Sequence, residues 1–439
     1  MNAPPELKQD ASTSNPPPQG LPHGLKNEPP KNLSWSARMV FNLLSGMHRG
    51  QLTLRFPDGS ASTIGKEPHS DFQAVIQVRD ERCFKRIIQF GHIGFAEAYL
   101  DGEWDTPDLE AVVCWFILNI ENSTVLEGSK NKAFWVNLLG KINRLYHLLR
   151  SNNVDNSQKN IHEHYDLGND FFKIFLDPSL TYSSARFTHP EQSLEEAQLS
   201  KYEALCQKVQ LKPGDRVLEI GTGWGGFAVY MATQYGCHID TVTISQEQFN
   251  FAKQRIETAG LSHQITVHLQ DYRNIRGQFD KIVSVEMLEA VGDAYLNTYF
   301  AQCSKLLKPD GLLGIQYITC PDSRYELLKN NVDFIQKHIF PGSLLPSVGR
   351  VNQAINQTGH LFLHQLEDMG NSYAKTLQLW HDAFNANLPE VRRQGFDERF
   401  IRKWNYYLMY CKAAFRMRNI SVVQAVYTNP NNLSLWQAL

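Results

Sequence analysis

The feature that most constrains this chain is a short apolar run that breaks into glycines. Residues 216–226 read Arg-Val-Leu-Glu-Ile-Gly-Thr-Gly-Trp-Gly-Gly and are followed by a second apolar segment. This pattern predicts a strand, a tight loop and the start of a helix, in which Gly221, Gly223 and Gly225 let the backbone turn sharply and let a ligand approach its N–H groups. Because a helix N-terminus is partly positive, the loop favours a nucleotide-like cofactor, although an ordinary βα turn is the alternative interpretation.

The second predicted strand distinguishes between cofactors. It covers residues 238–244 and runs into Ser245-Gln246-Glu247-Gln248, where a dinucleotide-binding unit would carry an acidic residue for the ribose. Thr243 and Ile244 end the strand, and Ser245 and Gln248 can still bond ribose hydroxyls. Glu219, inside the first strand, is placed to meet a cationic amino group across the loop. These features favour S-adenosylmethionine over a nicotinamide dinucleotide.

Strand and helix patterns alternate from about residue 156 onward. We therefore predict an α/β fold with a doubly wound parallel sheet, in which the glycine loop, Ser245, Asp271 and residues 286–289 share the rim at the carboxyl ends of the strands. Residues 320–370, with a turn-like break at 340–342, interrupt the alternation and are predicted to form a helical cover. The predicted strands cover 216–220, 239–244, 265–269, 279–285 and 311–318, and helical patterns cover 246–260 and 295–307.

Composition limits the class of protein. The 439 residues allow two or three domains, and 43 Lys and Arg against 45 Asp and Glu give no general argument for nucleic acid, so none is predicted as a partner. Seven cysteines without a CxxC pair favour free thiols, a reducing compartment and a cytoplasmic protein, and no metal site is predicted. No apolar run approaches the roughly 20 residues that a membrane-spanning helix needs.

The part of the chain before the alternating region has a different character. Residues 1–31, rich in Pro, Asn, Ser and Lys, are predicted to be a disordered tail. Residues 32–150 are predicted to form a smaller α+β domain, with a strand at 51–56 and an amphipathic helix with a basic face at 130–150. Packing within the protein and membrane contact both stay open for that helix. Residues 151–439 form the predicted cofactor-binding domain.

Several long motifs, in order, resemble those of cyclopropane-fatty-acyl-phospholipid synthases and the related mycolic acid cyclopropane synthases. The segment Phe90-Gly91 to Trp104 also resembles the smaller N-terminal domain of the phospholipid-acting members, which the mycolate enzymes lack. The resemblance implies a class I S-adenosylmethionine-dependent methyltransferase fold and a phospholipid substrate. The motifs are His164 to Asp170, Thr181-Tyr182-Ser183, Val217 to Gly226, Gln270-Asp271-Tyr272-Arg273, Met287 to Gly292 and Asp333 to Gly342.

The resemblance implies the roles of individual residues. Tyr182 and Ser183 would meet the methionine end of the cofactor, and Gly221 and Gly223 its backbone side. Thr243, Ile244, Ser245 and Gln248 would hold the ribose, whereas Asp271 and Tyr272 would flank the adenine. The reaction implied is transfer of a methylene from the sulfonium methyl across a cis double bond of an acyl chain.

Ring closure requires that the transferred methyl lose a proton, and family members hold a bicarbonate ion for this step. Glu289 matches its Glu position, Tyr373 its Tyr position and Ile318 a backbone-amide position. The Cys position of the family, however, is Ser184, and the His position is Gln316. Ser and Gln can donate hydrogen bonds, but neither reproduces the charge or the proton exchange of imidazole. The resemblance therefore implies bicarbonate as a ligand, held here by Ser184 and Gln316 in place of the family's Cys and His.

Two alternatives stay open at the level of sequence. The first is an acyl-lipid methyltransferase whose product carries a methyl or methylene branch instead of a ring. The second is a lipid-binding protein that retains the fold without turnover, which the two departures at Ser184 and Gln316 suggest. Because the acyl chain lies in a bilayer, we expect reversible, peripheral membrane association. The sequence leaves the oligomeric state open, a homodimer among the alternatives.

Overall fold

The computed structural model describes residues 33–65, 72–120 and 167–435. The predicted tail at 1–31 and the predicted helix at 130–150 lie outside these residues, as do residues 164–166 of the first motif. None of the described helices is long and apolar enough to cross a membrane. All seven cysteines are described, and none of them is in a disulfide.

The N-terminal described part contains a small mixed sheet flanked by helices. Its strands are ordered β2-β1-β3-β4, with β1 antiparallel to β2 and parallel to β3. Helix α2 is interrupted at Gly91, where φ is +58°. The elements are α1 (Trp35–Leu44), β1 (Gln51–Arg55), β2 (Ala61–Ile64), β3 (Gln73–Val78), α2 (Arg82–Leu100), β4 (Trp104–Asp105) and α3 (Leu109–Ile120).

The larger part is built on a seven-stranded sheet of order β10-β11-β9-β8-β5-β6-β7, which confirms the doubly wound sheet. Strands β9, β8, β5, β6 and β7 are parallel, and β11 runs antiparallel between β9 and β10. The chain leaves β5 toward β6 on one side and returns to β8 on the other, so the loop after β5 lies at the point where ligands bind such sheets. The strands are β5 (Arg216–Ile220), β6 (His238–Thr243), β7 (Ile265–Leu269), β8 (Phe279–Val285), β9 (Leu307–Thr319), β10 (Phe362–Asp368) and β11 (Ser421–Thr428).

Helices cover both faces and the rim of this sheet. Three of them lie within the predicted cover of residues 320–370, but the prediction is wrong at its end, because β10 occupies residues 362–368 and pairs with β11. The helices are α4 (Asn169–Phe172), α5 (Leu194–Lys208), α6 (Gly226–Tyr235), α7 (Gln246–Thr258), α8 (Leu296–Leu306), α9 (Asp322–Asn330), α10 (Phe334–His338), α11 (Val348–Thr358), α12 (Gly370–Ala386), α13 (Leu388–Arg393) and α14 (Glu398–Arg416).

The two parts pack directly against each other. Glu110 on α3 accepts hydrogen bonds from Lys412 and Arg416 on α14, and its side chain is only 10% exposed. Glu97 on α2 accepts from Lys337 and His338 on α10 at 2.8 and 2.9 Å. The pKa of Glu97 is about 2: burial raises it, but these hydrogen bonds and positive charges outweigh the burial. Helices of the N-terminal part are therefore held against α10 and α14 of the larger part.

Candidate active site

The glycine loop turns in the left-handed region at all three predicted positions. The φ angles are +102° at Gly221, +51° at Gly223 and +81° at Gly225, where L side chains are strained. A Cβ on Gly223 would meet no atom within 4 Å, so a ligand can approach the backbone there. A Cβ on Gly225 would lie 3.1 Å from the Cβ of Ala252 on α7. Gly225 thus permits close packing of the loop on a helix.

A large cavity of about 1780 Å³ opens beside this loop and extends to the N-terminal helices. Pockets of roughly 300–1,000 Å³ suffice for drug-sized ligands, so this one has room for a cofactor and a second molecule. Five predicted site residues are absent from its wall: Ser184, Glu219, Gly225, Ser245 and Gln316. Twelve lie on it: Tyr182, Ser183, Gly221, Gly223, Thr243, Ile244, Gln248, Asp271, Tyr272, Glu289, Ile318 and Tyr373.

The predicted ribose-binding residues are linked to one another by hydrogen bonds. Thr243 Oγ1 donates to Gln248 Oε1 at 2.9 Å and accepts from the Ser245 amide at 3.1 Å. Ser245 Oγ accepts from the Gln248 amide at 3.3 Å and so caps the N-terminus of α7. Ser245 therefore positions the helix that carries Gln248, whereas Gln248 itself faces the cavity.

Glu219 lies behind the glycine loop instead of on the cavity wall. Its Oε2 accepts a hydrogen bond from Thr241 Oγ1 at 2.6 Å, and the residue is 3% exposed. Burial raises the pKa of this carboxyl to about 8, because few groups nearby favour the charged form. A cationic group arriving across the loop would lower that pKa.

Glu286 is the residue that sequence reasoning missed as a catalytic candidate. Its Oε1 accepts from the Ser184 amide and from Gln316 Nε2, both at 2.8 Å, and its Oε2 accepts from the Tyr373 hydroxyl at 2.8 Å. The residue lines the cavity with φ at +49°, an uncommon conformation for a residue with a side chain. Strain of this kind persists where the surroundings hold it, often at functional sites. The sequence signal was a second acid three residues before Glu289.

Glu289, three residues after Glu286, lies on the same cavity wall. Its Oε1 accepts from the Ile318 amide, and its buried Oε2 has no hydrogen-bond partner among the described residues. Burial, and then the negative charge of Glu286, raise the pKa of Glu289 to about 8. A half-buried carboxyl and a buried one thus lie together, and burial raises the pKa of both. The three donors on Glu286 favour the ionised form at that residue, beside a protonated Glu289.

Lys201 on α5 supplies a buried positive charge behind these acids. It is fully buried, and its Nζ donates to Ser183 Oγ at 2.7 Å. Burial lowers its pKa to about 7, an effect opposed by the negative charges of Glu286 and Asp177. Nothing in the spacing of the sequence marked this lysine, because it occupies an ordinary helical position.

Ser184 and Gln316 lie behind Glu286 and are essentially inaccessible to solvent. Gln316 Oε1 accepts from Gln424 Nε2 at 3.0 Å, which orients the amide so that Nε2 points to Glu286. The donors that the resemblance assigns to bicarbonate are therefore bonded within the chain: Gln316 and Tyr373 to Glu286, and the Ile318 amide to Glu289. The Ser184 hydroxyl donates to the Ala185 carbonyl, and the Ser184 amide is a further donor to Glu286. These residues do not fit a bicarbonate ion in that place.

Comparison with known proteins agrees with this geometry. The model of the mycolic acid cyclopropane synthetase family matches residues 152–425. The chain belongs to this family. It is 40% identical to the cyclopropane-fatty-acyl-phospholipid synthase of Escherichia coli strain K12 over 81% of this chain and 88% of that protein. It is 37% identical to the tuberculostearic acid methyltransferase UfaA1 of Mycobacterium tuberculosis over 85% of this chain and 86% of that protein.

Solved structures place this family member among S-adenosylmethionine-dependent methyltransferases. The mycolic acid cyclopropane synthase CmaA1, complexed with SAH and CTAB, is 29% identical, with a TM-score of 0.57 over 62% of this chain and 97% of that one. The class I methyltransferase fold and the dependence on S-adenosylmethionine are thus confirmed. The open backbone at Gly223 and the cavity beside it fit this cofactor.

Proposed function

We propose that this enzyme transfers a carbon from S-adenosylmethionine to the cis double bond of an unsaturated phospholipid acyl chain and closes a cyclopropane ring. The observation that carries the proposal is the large cavity, which joins the glycine loop to the carboxyls of Glu286 and Glu289 and then to an apolar wall. Among the relatives, the E. coli phospholipid enzyme matches 81% of the chain, whereas cyclopropane mycolic acid synthase 1 of M. tuberculosis matches 60%. The longer match supports phospholipid over mycolate.

The chemistry demands positioning more than activation. S-adenosylmethionine, when bound, supplies an electrophilic methyl on sulfonium, but an alkene is a weak nucleophile and must be held in line with that methyl. The π electrons form the new C–C bond and leave a cation on the neighbouring carbon. Tyr182 and Tyr373 present aromatic rings on the cavity wall, and Glu286 presents an anion, so both kinds of group can stabilise the cation.

Branching is the second candidate product. A relative at 37% identity is named a methyltransferase of tuberculostearic acid and not a cyclopropane synthase. A hydride shift in the cation, followed by proton loss elsewhere, would give a branch from the same first step. The site residues serve either outcome, since the anion and the aromatic rings act on the cation that both share.

We also propose that the mouth of the cavity docks on a phospholipid bilayer. Trp35 on α1 is 75% exposed and Leu327 on α9 is 63% exposed, and both line the cavity together with Arg38 and Arg324. Tryptophan favours membrane interfaces, and arginine binds phosphate. A lipid at this mouth could place its headgroup near the arginines while its acyl chain follows the apolar wall inward.

Transfer of labelled methyl to vesicles of a mono-unsaturated phospholipid tests the reaction. We expect label in the extracted lipid from the wild-type enzyme and none from Gly223→Val, whose branched side chain would project toward the cofactor and disfavour a positive φ. Calorimetry with S-adenosylmethionine should show binding by the wild type only. Cofactor binding without lipid labelling would support the inactive lipid-binding alternative instead.

Docking is tested separately by vesicle co-sedimentation. We expect Trp35→Ser to bind vesicles several-fold more weakly than the wild type, with unchanged affinity for S-adenosylmethionine. Leu433→Ser is the matched control, because Leu433 is 76% exposed and lies away from the cavity wall. Equal weakening by both substitutions, or by neither, would contradict docking through this mouth.

A further inference from the structure

We propose that Glu286 is the catalytic base of ring closure and that the enzyme therefore works without bicarbonate. This inference rests on the proposed function. It follows from the disagreement between the ligand that the resemblance implies and the hydrogen bonds that the described residues make.

The carboxylate of Glu286 is held like a bound anion. Three donors from three separate segments converge on it: the Ser184 amide before α5, Gln316 Nε2 on β9 and the Tyr373 hydroxyl on α12, each at 2.8 Å. All are neutral donors, so they stabilise the carboxylate by hydrogen bonds without neutralising its negative charge. The carboxylate has the charge, size and planar shape of bicarbonate, and it reaches the cavity wall.

The backbone conformation at the end of β8 directs the Glu286 side chain toward its three donors. Glu286 follows β8 directly, its amide donates to the Gln316 carbonyl at 2.7 Å, and its φ of +49° turns the chain out of the strand. Glycine would adopt that angle without strain, so the carboxyl-bearing side chain stands there against a local backbone cost. The same strand end therefore fixes both the backbone and the carboxylate.

Burial raises the pKa of Glu286, whereas its three hydrogen bonds and the positive charge of Lys201 oppose that rise and favour the ionised carboxylate. Lys201 donates to the Ser183 hydroxyl, and the amide of the next residue, Ser184, donates to Glu286. Glu289, on the same wall, accepts a hydrogen bond from the Ile318 amide, and its raised pKa makes it the carboxyl that keeps a proton. One acid of the pair is thus held as a base beside a cation, and the other as a neutral neighbour.

The step balances without a further reactant. Methyl transfer breaks the S–CH₃ bond, whose electron pair stays on sulfur, and leaves the acyl chain as a cation. A C–H bond of the transferred methyl then breaks, its electron pair forms the third side of the ring, and its proton passes to Glu286. The products are the cyclopropane and a protonated Glu286, which returns its proton to solvent after product release.

The test compares the wild type and two variants in carbonate-free buffer, with and without added bicarbonate. We expect the wild type to change less than two-fold and Glu286→Gln, the isosteric control, to lose roughly 100- to 10,000-fold in kcat in both buffers. Glu286→Gly should be slow without bicarbonate and recover at least ten-fold with it, because the glycine suits φ and leaves the three donors for the small anion. Affinity for S-adenosylmethionine, measured by calorimetry, should stay within about three-fold and report that each variant is folded.

Two results would overturn the inference: wild-type turnover that collapses without bicarbonate and returns with it, or Glu286→Gln that keeps wild-type turnover. Rescue of Glu286→Gln to the same extent as Glu286→Gly would also contradict it. If the wild type transfers no carbon to phospholipid in either buffer, the proposed function fails instead, so the two failures are distinguishable.

Discussion

Two glycines of the cofactor loop should respond differently to the same substitution. Gly223 and Gly225 both have positive φ, so an alanine at either position should cost roughly 1–2 kcal/mol in backbone strain. At Gly225 the new Cβ would also lie 3.1 Å from Ala252, and overpacking of this kind adds typically about 1–3 kcal/mol. We therefore expect Gly225→Ala to lower the free energy of unfolding by about 2–5 kcal/mol, and Gly223→Ala by only the strain.

Cofactor affinity should show the reverse order. A Cβ on Gly223 meets no protein atom within 4 Å and points to where the cofactor should lie, so a clash of about 1–3 kcal/mol weakens binding by roughly 5- to 150-fold. Gly225→Ala, off the cavity wall, should bind within about three-fold of the wild type while folded. Urea unfolding without cofactor and calorimetric titration measure the two quantities. Equal destabilisation by both variants, or a stable Gly225→Ala that cannot bind cofactor, would refute this assignment.

Three further predictions concern the buried ionisable groups. Lys201→Met removes a positive charge that lowers the pKa of Glu286, so the acidic limb of the pH profile of kcat/KM should move to higher pH. If Lys201 has a purely structural role, the substitution should instead raise the KM for the cofactor and leave the acidic limb where it is. Glu219, with a pKa of about 8, is mostly protonated at pH 7. Contact with the ammonium group of the cofactor should lower that pKa, so binding should release close to one proton, which calorimetry measures as a dependence of the binding enthalpy on the buffer. Binding to Glu219→Gln should release no proton. Tyr373→Phe removes one donor to Glu286 and should also shift the acidic limb upward, with unchanged cofactor affinity; an unshifted profile would contradict the hydrogen bond as a determinant of that pKa.

The strands around the cofactor were predictable because local signals and burial agree there. Residues 216–220 and 279–285 are strands with the predicted bounds, and most of their side chains are buried in the middle of the sheet, where parallel strands rich in apolar residues are typical. Strand β10 was not predictable in the same way: its side chains are mostly exposed, at the edge of the sheet, and carry no apolar run. Its place depends on pairing with β11, about sixty residues later in the chain.

The same difference between local and long-range signals applies to the residues of the active site. The glycine loop and Gln248 could be placed from local motifs, because a turn and a helix start are encoded in neighbouring residues. The hydrogen bonds of Glu286 could not, since its donors come from residues 184, 316 and 373 and meet only in the folded sheet. For the same reason Ser184 and Gln316 were predicted to touch a bound ion, whereas Gln316 and the Ser184 amide donate to Glu286 and the Ser184 hydroxyl donates to the Ala185 carbonyl.

The position of the transferred carbon tests the central claim most directly. Vesicles of a mono-unsaturated phospholipid would be incubated with the enzyme and S-adenosylmethionine carrying a ¹³C methyl group, and the fatty acid methyl ester examined by ¹³C and proton nuclear magnetic resonance. We predict that the label appears as a ring methylene with the upfield proton signals of a cyclopropane. Label found instead in a methyl or methylene branch, at full cofactor turnover, would contradict ring closure while leaving carbon transfer to the alkene intact.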